Sequence, residues 1–444
     1  MVDRDRADRM FSAAPGFVFM FFLAFGAVAL QAQTARSTEQ TPAAQPMERP
    51  GNVYKELMQP LDQVRSSLDN WSPAELAALA AGIKRAQEYC GQVAAASVSG
   101  DDLYQLARVC SVGQRWNDAD AAASAYIKSA SQPYQAHAYA IRVNALLNLK
   151  DTTMAVEVAR RMLRSVPYDA TVDQSMAYLI HYLAMSLDDG ALPLAQERQP
   201  LLLAALDKGG ALKEEPGETV IGAAALYNEG LELAYLEQYA GRQNEAQQVL
   251  SALDAALAKV PADKVDNRAE IARARAQYAL LGQMLPPIRM LRYVAPGYPL
   301  PPIDEGYLSP DTESASVILL FPEWCAQCRR MLPPLNDFLI RNHGARIHAY
   351  GFLALDADET ATDPFKSDSF KDLLHTPTVT TPAATLATFG AVNFPFVVIT
   401  DGEGRIHFLG TVAQNAFDAG GFIEQVIEKN VFGRARKKVT PASH

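Results

Sequence analysis

Hydrophobic positions along the chain fall into blocks with different periods. An unbroken apolar run from Phe17 to Leu30 follows a charged stretch containing Arg4, Arg6 and Arg9. Residues from about 33 to 50 are polar and proline-containing, with no period, and read as a flexible spacer. From Ser72-Pro73, with Glu75 in the first turn, the chain turns Ala- and Leu-rich at helical spacing and stays nearly free of strand patterns until Leu285. Pro286, Pro287, Pro296, Pro299, Pro301, Pro302 and Pro310 then forbid a continuous helix and predict an extended connection. Short apolar runs follow in alternation. They predict a strand at Val317–Phe321, a helix starting at a cysteine pair, a strand at Ile347–Leu355 and a helix over about Ser369–Leu374. A hairpin of Phe396–Thr400 and Arg405–Leu409 around Asp401-Gly402-Glu403-Gly404 comes next, then a last helix over about Phe417–Asn430. This order suits a mixed central sheet with helices on its faces.

The chain therefore divides into a leader (1–32), a linker (33–60), an all-α region (61–284), a proline-rich connection (285–312), an α/β domain (313–432) and a basic tail (433–444). The all-α region repeats its punctuation. Gln114-Arg115-Trp116-Asn117-Asp118-Ala119, Lys150-Asp151-Thr152-Thr153-Met154-Ala155 and Gly241-Arg242-Gln243-Asn244-Glu245-Ala246 each open a helix, with a weaker case at Gly190–Ala195. These turns resemble those of tetratricopeptide repeats, where a small Ala lets the second helix pack close to the first. The marker alanines are spaced more widely and less evenly than the about 34 residues of the regular repeat. The expectation is a degenerate array of helical hairpins, serving either as a peptide-binding groove or as a scaffold.

Composition narrows the function. A hydrophobic share of 49% against 20% charged residues is that of a folding, globular chain. A net charge of −10 supplies no field for a phosphate backbone, so nucleic acid is not an expected partner. The apolar run after the N-terminal arginines reads as an export signal, with small residues at Ala29, Ala32 and Ala35 for cleavage near Ala32. Counted from Phe11, it also reaches the about 20 residues that cross a bilayer, which leaves an uncleaved anchor open. Either way, the rest of the chain is expected to be extracytoplasmic: periplasmic or secreted, or held at the inner membrane by its N-terminus.

Four cysteines form two pairs with unrelated spacings. Cys325 follows an apolar strand and stands at the expected start of a helix, where free amides and the helix dipole favour a thiolate, so it is the expected nucleophile. Cys328, one helical turn on, is placed to resolve a mixed disulfide. A Cys-x-x-Cys is also half of a zinc site, or an inert staple, but no second pair with ligand spacing follows, and neither metal nor organic cofactor is expected. Cys90 and Cys110 stand equally far from a turn at about Ser99-Gly100. Antiparallel helices would bring them together, with small Ala86 and Ala107 permitting close approach. A structural disulfide is the reading adopted, with buried free thiols or a second redox site as alternatives. The seven histidines show no metal or triad spacing, and the acidic stretch Asp356, Asp358, Glu359, Asp363 lacks the glycine and terminal Glu of a calcium loop.

The context of the pair resembles the thioredoxin superfamily over about 313–432. Trp324 precedes Cys325-Ala326-Gln327-Cys328, Pro333 stands where thioredoxins keep a helix-kinking proline, and Phe394-Pro395 precedes a strand where the family has its cis-proline. With the N-terminal extension and the export signal, the run Phe389–Pro395 is most similar to the TlpA/ResA-type branch. The resemblance implies an α/β thioredoxin-like fold behind the all-α array, redox-active Cys325 and Cys328, and a client strand paired to Phe394 beside Pro395 and shielded by Trp324. Two departures stand out. Leu319 occupies the place of the family's buried Asp, and Met331 the place of a Glu common in the ResA type. Glu323 is then the nearest carboxylate in sequence and the candidate for proton transfer to Cys328.

The expected activity is thiol-disulfide exchange on protein thiols or disulfides, in the reductase direction, with a membrane redox partner as electron donor. Its rival is a tetratricopeptide-type binding or chaperone module carrying a non-catalytic thioredoxin-like scaffold.

Overall fold

In the computed structural model the described residues are 48–64, 72–129, 133–186, 188–214, 220–290, 292–294, 306–308, 314–322, 324–342, 346–355, 378–412 and 415–432. The leader, the basic tail, the helix expected at 369–374, the acidic stretch 356–363 and Glu323 lie outside them. Contacts divide the chain into two compact units, 1–179 with 212–221, and 180–211 with 222–444.

The first unit is helical: α1 (Pro50–Val64), α2 (Pro73–Gln92), α3 (Asp101–Val112), α4 (Trp116–Lys128), α5 (Gln135–Asn148), α6 (Thr152–Ser165) and the first part of α7 (Ala170–Met185), with a small hairpin of β1 (Leu212–Lys213) and β2 (Val220–Ile221). Helix α2 starts where the sequence predicts. The Ser72 hydroxyl accepts from the Glu75 amide at 3.2 Å and the Glu75 carboxylate accepts from the Ser72 amide at 2.7 Å, a reciprocal cap. Gly113 admits the close approach of α2, since a Cβ there would lie 2.9 Å from the Gln87 nitrogen. The expected turns share one geometry. Arg115 donates to the Cys110 carbonyl and Asp151 to that of Leu146, both at 2.9 Å, each after a residue of positive φ, Gln114 or Lys150. The marker alanines Ala119 and Ala155 are fully buried.

In the second unit, α8 (Ala191–Asp207), α9 (Ala223–Tyr239), α10 (Gln243–Leu257) and α11 (Arg268–Leu280) precede the sheet. The same turn joins α9 to α10, with Arg242 donating to the Glu237 carbonyl at 2.9 Å after Gly241 and with Ala246 buried. The proline-rich segment supplies β3 (Ile288–Met290), β4 (Arg292–Val294) and β5 (Gly306–Leu308). There follow β6 (Ala315–Pro322), α12 (Ala326–Arg330), α13 (Leu332–Arg341), β7 (Ile347–Leu355), β8 (Thr378–Pro382), α14 (Ala384–Thr388), β9 (Phe396–Thr400), β10 (Ile406–Thr411) and α15 (Phe422–Val426), which continues as a wider turn to Phe432.

One six-stranded sheet runs β10-β9-β6-β7-β8-β4, with β6, β7 and β8 parallel and the other pairs antiparallel; β3 pairs with β5 apart from it. The central strand β6 is buried throughout, so its two faces serve two cores. Val317, Leu319 and Phe321 join one core with the cysteine pair, α13 and α15. Ile318 and Leu320 join the other, which contains Leu281, Leu285 and Ile288 with Tyr235, Tyr239 and Tyr278 packed against it. Helices α9 and α11 and the segment leaving α11 thus cover the sheet's second face. Backbone bonds fasten that segment to the β9–β10 hairpin: Gly282 N–H to Ile406 C=O, Ile406 N–H to Gln283 C=O and Leu285 N–H to Gly404 C=O, all at 2.8 Å. The last helix begins at Phe422 rather than near Phe417, because residues 415–421 form a loop in which Ile423 N–H reaches back to the Ala416 carbonyl.

Candidate redox site

The site forms where β6 ends. The chain turns at Trp324, 73% exposed, and Cys325 caps α12. The Cys325 amide donates to the Pro322 carbonyl at 3.1 Å, and Cys325 Sγ accepts from the Cys328 amide at 3.2 Å. The two cysteines are joined as a disulfide, their Cα atoms 5.3 Å apart. Cys325 is 5% exposed and Cys328 not at all, so a partner sulfur can approach only Cys325. Behind the pair, Leu319, Met331 and Leu335 make an apolar wall. The two positions that depart from the thioredoxin pattern are therefore buried and apolar, and neither places a carboxylate beside the cysteines. Pro333 stands at the start of α13, where the missing amide costs the helix nothing.

Opposite the pair stands the loop before β9, with Phe394-Pro395 in the cis form and Pro395 buried. The Phe394 ring meets Trp324 edge-on, centroids 5.7 Å apart and planes at 84°. The neighbouring carbonyls are occupied: Asn393 C=O accepts from the Thr411 hydroxyl at 3.3 Å and Pro395 C=O from the Val412 amide at 3.2 Å. Between them, the Phe394 amide and carbonyl have no partner among the described residues. An open donor and acceptor on one residue are what a further strand pairs with.

Residues from α11 support this loop, and sequence reasoning missed them. Gln277 Nε2 donates to the Gly390 carbonyl at 2.7 Å, and Gly390 has φ +60. The Arg273 and Gln277 stems lie where a Cβ at Gly390 would come within 2.9 Å of each. No sequence signal marks either residue, because the loop they touch lies far along the chain.

The other expected site residues resolve simply. Cys90 and Cys110 are disulfide-bonded between α2 and α3, Cα atoms 5.5 Å apart, with Ala86 and Ala107 fully buried beside them. His137, His181 and His407 each pair with a carboxylate, of Glu214, Glu232 and Asp401. Among the described residues no group of three or more ligating side chains could hold a metal ion, and no helix is long and apolar enough to cross a membrane.

No protein-family model and no curated protein matches the chain. Solved structures similar to about a third of it include the thioredoxin domain of a thiol-disulfide oxidoreductase from Bacteroides vulgatus (16% identity, 33% of this chain and 96% of that one, TM-score 0.26). Others are a thiol:disulfide interchange protein from a Bacteroides species (17%, 37% and 97%, 0.27) and a DsbF homologue from Corynebacterium diphtheriae (20%, 33% and 87%, 0.23). The thioredoxin-like arrangement of the described residues between 315 and 432 is carried by the chain's own features: a parallel β6–β7 pair, an antiparallel β9–β10 pair, a cysteine pair at the end of β6 and a cis-proline before β9.

Proposed function

We propose that the protein is an extracytoplasmic thiol-disulfide oxidoreductase that reduces disulfides in protein clients. One observation carries the reading: a Cys325–Cys328 disulfide at the start of a helix, with only Cys325 reachable, opposite a cis-proline loop whose Phe394 backbone is open for pairing.

In the reductase direction the Cys325 thiolate, held by the Cys328 amide, attacks one client sulfur. A mixed disulfide forms and the other client sulfur leaves as a thiolate. Cys328 then attacks Cys325 Sγ, the second client thiol leaves, and the Cys325–Cys328 disulfide closes. Two electrons have passed from the dithiol to the client, and a membrane redox partner restores them. Phe394 and Pro395 align the client strand, Trp324 shields the pair, and Glu323 takes the proton of Cys328, since Leu319 and Met331 supply no carboxylate. An export signal or anchor in residues 1–32 and the Cys90–Cys110 disulfide support an oxidising compartment. The helical hairpins form a tetratricopeptide-like scaffold.

The test is the reduction potential of the pair in the full chain, held in detergent and equilibrated with dithiothreitol or glutathione buffers. A value near or below about −250 mV supports delivery of electrons, and one nearer about −120 mV would make the protein an oxidant. Failure of the disulfide to form reversibly, together with no client trapped by Cys328→Ser, would sink the enzyme reading. It would favour the rival, a binding or chaperone module, toward which the hydrocarbon behind the cysteines leans.

A further inference from the structure

Beside the cis-proline loop, within the second unit, lies a pocket of about 180 Å³. Asn228 of α9 and Glu270 and Arg273 of α11 line one side, Asn393 and Thr411 the other, and Tyr235 is among its apolar residues. Its polar groups differ in what they have left to offer. Glu270 is engaged on both oxygens, accepting from Asn228 Nδ2 at 2.5 Å and Asn267 Nδ2 at 2.6 Å. The Thr411 hydroxyl is engaged by the Asn393 carbonyl. Burial pushes the Tyr235 phenol up, so it stays neutral. Arg273 is partly buried, with its stem braced where Gly390 has no side chain, and it has no hydrogen bond or ion pair among the described residues. Asn228 Oδ1 is buried with no partner among the described residues, so it leaves one open acceptor in the pocket. The charge left unpaired among the described residues is that of the Arg273 guanidinium, a fixed positive charge with a fork of donors best matched by a carboxylate.

Position names the occupant. Asn393 lines the pocket and directly precedes Phe394, the residue whose backbone is open for a client strand. We infer that a chain paired along Phe394 runs past Asn393 and Thr411 with one side chain in the pocket, and that Arg273 there is a specificity residue that selects client segments carrying an aspartate or glutamate close to the target cysteine. Selection thus comes from α11, while the exchange itself occurs at α12. The inference rests on the thiol-disulfide reading of the site.

The experiment uses the oxidised full chain and short fluorescent peptides in which the target cysteine is serine, with glutamate, glutamine or lysine placed in turn at each flanking position; affinity is read by anisotropy. At one position the glutamate peptide should bind about fivefold to tenfold tighter than the glutamine peptide, a ratio kept below that of fully buried charge pairs because Arg273 is partly exposed. Arg273→Gln should bring the ratio to about one, Arg273→Lys should keep part of it, and Arg273→Glu should turn the preference to lysine. Equal binding or no binding of all peptides by the wild type overturns the assignment, as does a glutamate preference that survives in Arg273→Gln. These peptides undergo no exchange, so the outcome is separate from the potential measurement. A redox-active chain without acidic preference loses only the pocket assignment, and a redox-inert chain with it loses only the enzyme reading.

Discussion

Gln277 of α11 donates from Nε2 to the carbonyl of Gly390 at 2.7 Å, tying a helix that precedes the sheet to the turn that leads into the cis-proline. Removing the donor while keeping the bulk, as in Gln277→Met, leaves a partly buried carbonyl without a partner. It should cost about 1–2 kcal/mol in urea unfolding and weaken peptide affinity at the loop. Unchanged stability and affinity would mean that the loop holds its shape without α11.

Leu285 is 9% exposed in the core on the second face of the sheet, and its amide bonds the Gly404 carbonyl. Leu285→Ala should destabilise the second unit by about 2–4 kcal/mol, since the hairpin backbone bonds on either side prevent the gap from closing. A chain beginning at residue 290 loses Leu281 and Leu285 together and should give a far lower thermal midpoint than one beginning at residue 180. Equal midpoints would show that the sheet does not need them.

The Cys90–Cys110 disulfide closes a loop with a sequence separation of 20. Replacing both cysteines by alanine should cost about 3 kcal/mol by the loop-entropy account. Exchange at Cys325 with a small dithiol should keep its rate. A fall in that rate would instead reveal a second redox site.

Burial raises the Tyr104 phenol to about 12 against the lowering effect of Arg108, from an ordinary value of 10.0. A raised phenol binds its proton more tightly in the folded state. Its contribution is therefore fully present below about pH 10 and lost as pH climbs from 10 toward 12. Tyr104→Phe removes the titrating group, so its unfolding free energy should fall less over that range, by up to about 3 kcal/mol. Tyr126, likewise raised to about 12 by burial, keeps the variant's curve from going flat. Superimposable curves for variant and wild type would remove Tyr104 from the account.

Local pattern was enough wherever the cause is local. The Ser72–Glu75 cap, the repeated turns before Ala119, Ala155 and Ala246, the buried strand ending at the cysteine pair and the Phe394-Pro395 step before β9 all depend on neighbours within a few residues, so period and turn chemistry reveal them. The match of Cys90 to Cys110 was legible for the same reason, through two helices and one short turn. Folding had to settle what depends on distant partners: that Leu281 and Leu285 close the second face of the sheet, that β4 joins β8 at its edge, and that Gln277 and Arg273 stand at Gly390. Nothing local distinguishes these side chains from others on amphipathic helices or proline-rich strands. Their partners are chosen by which surfaces bury the most apolar area and satisfy the most backbone groups once the whole chain is compact.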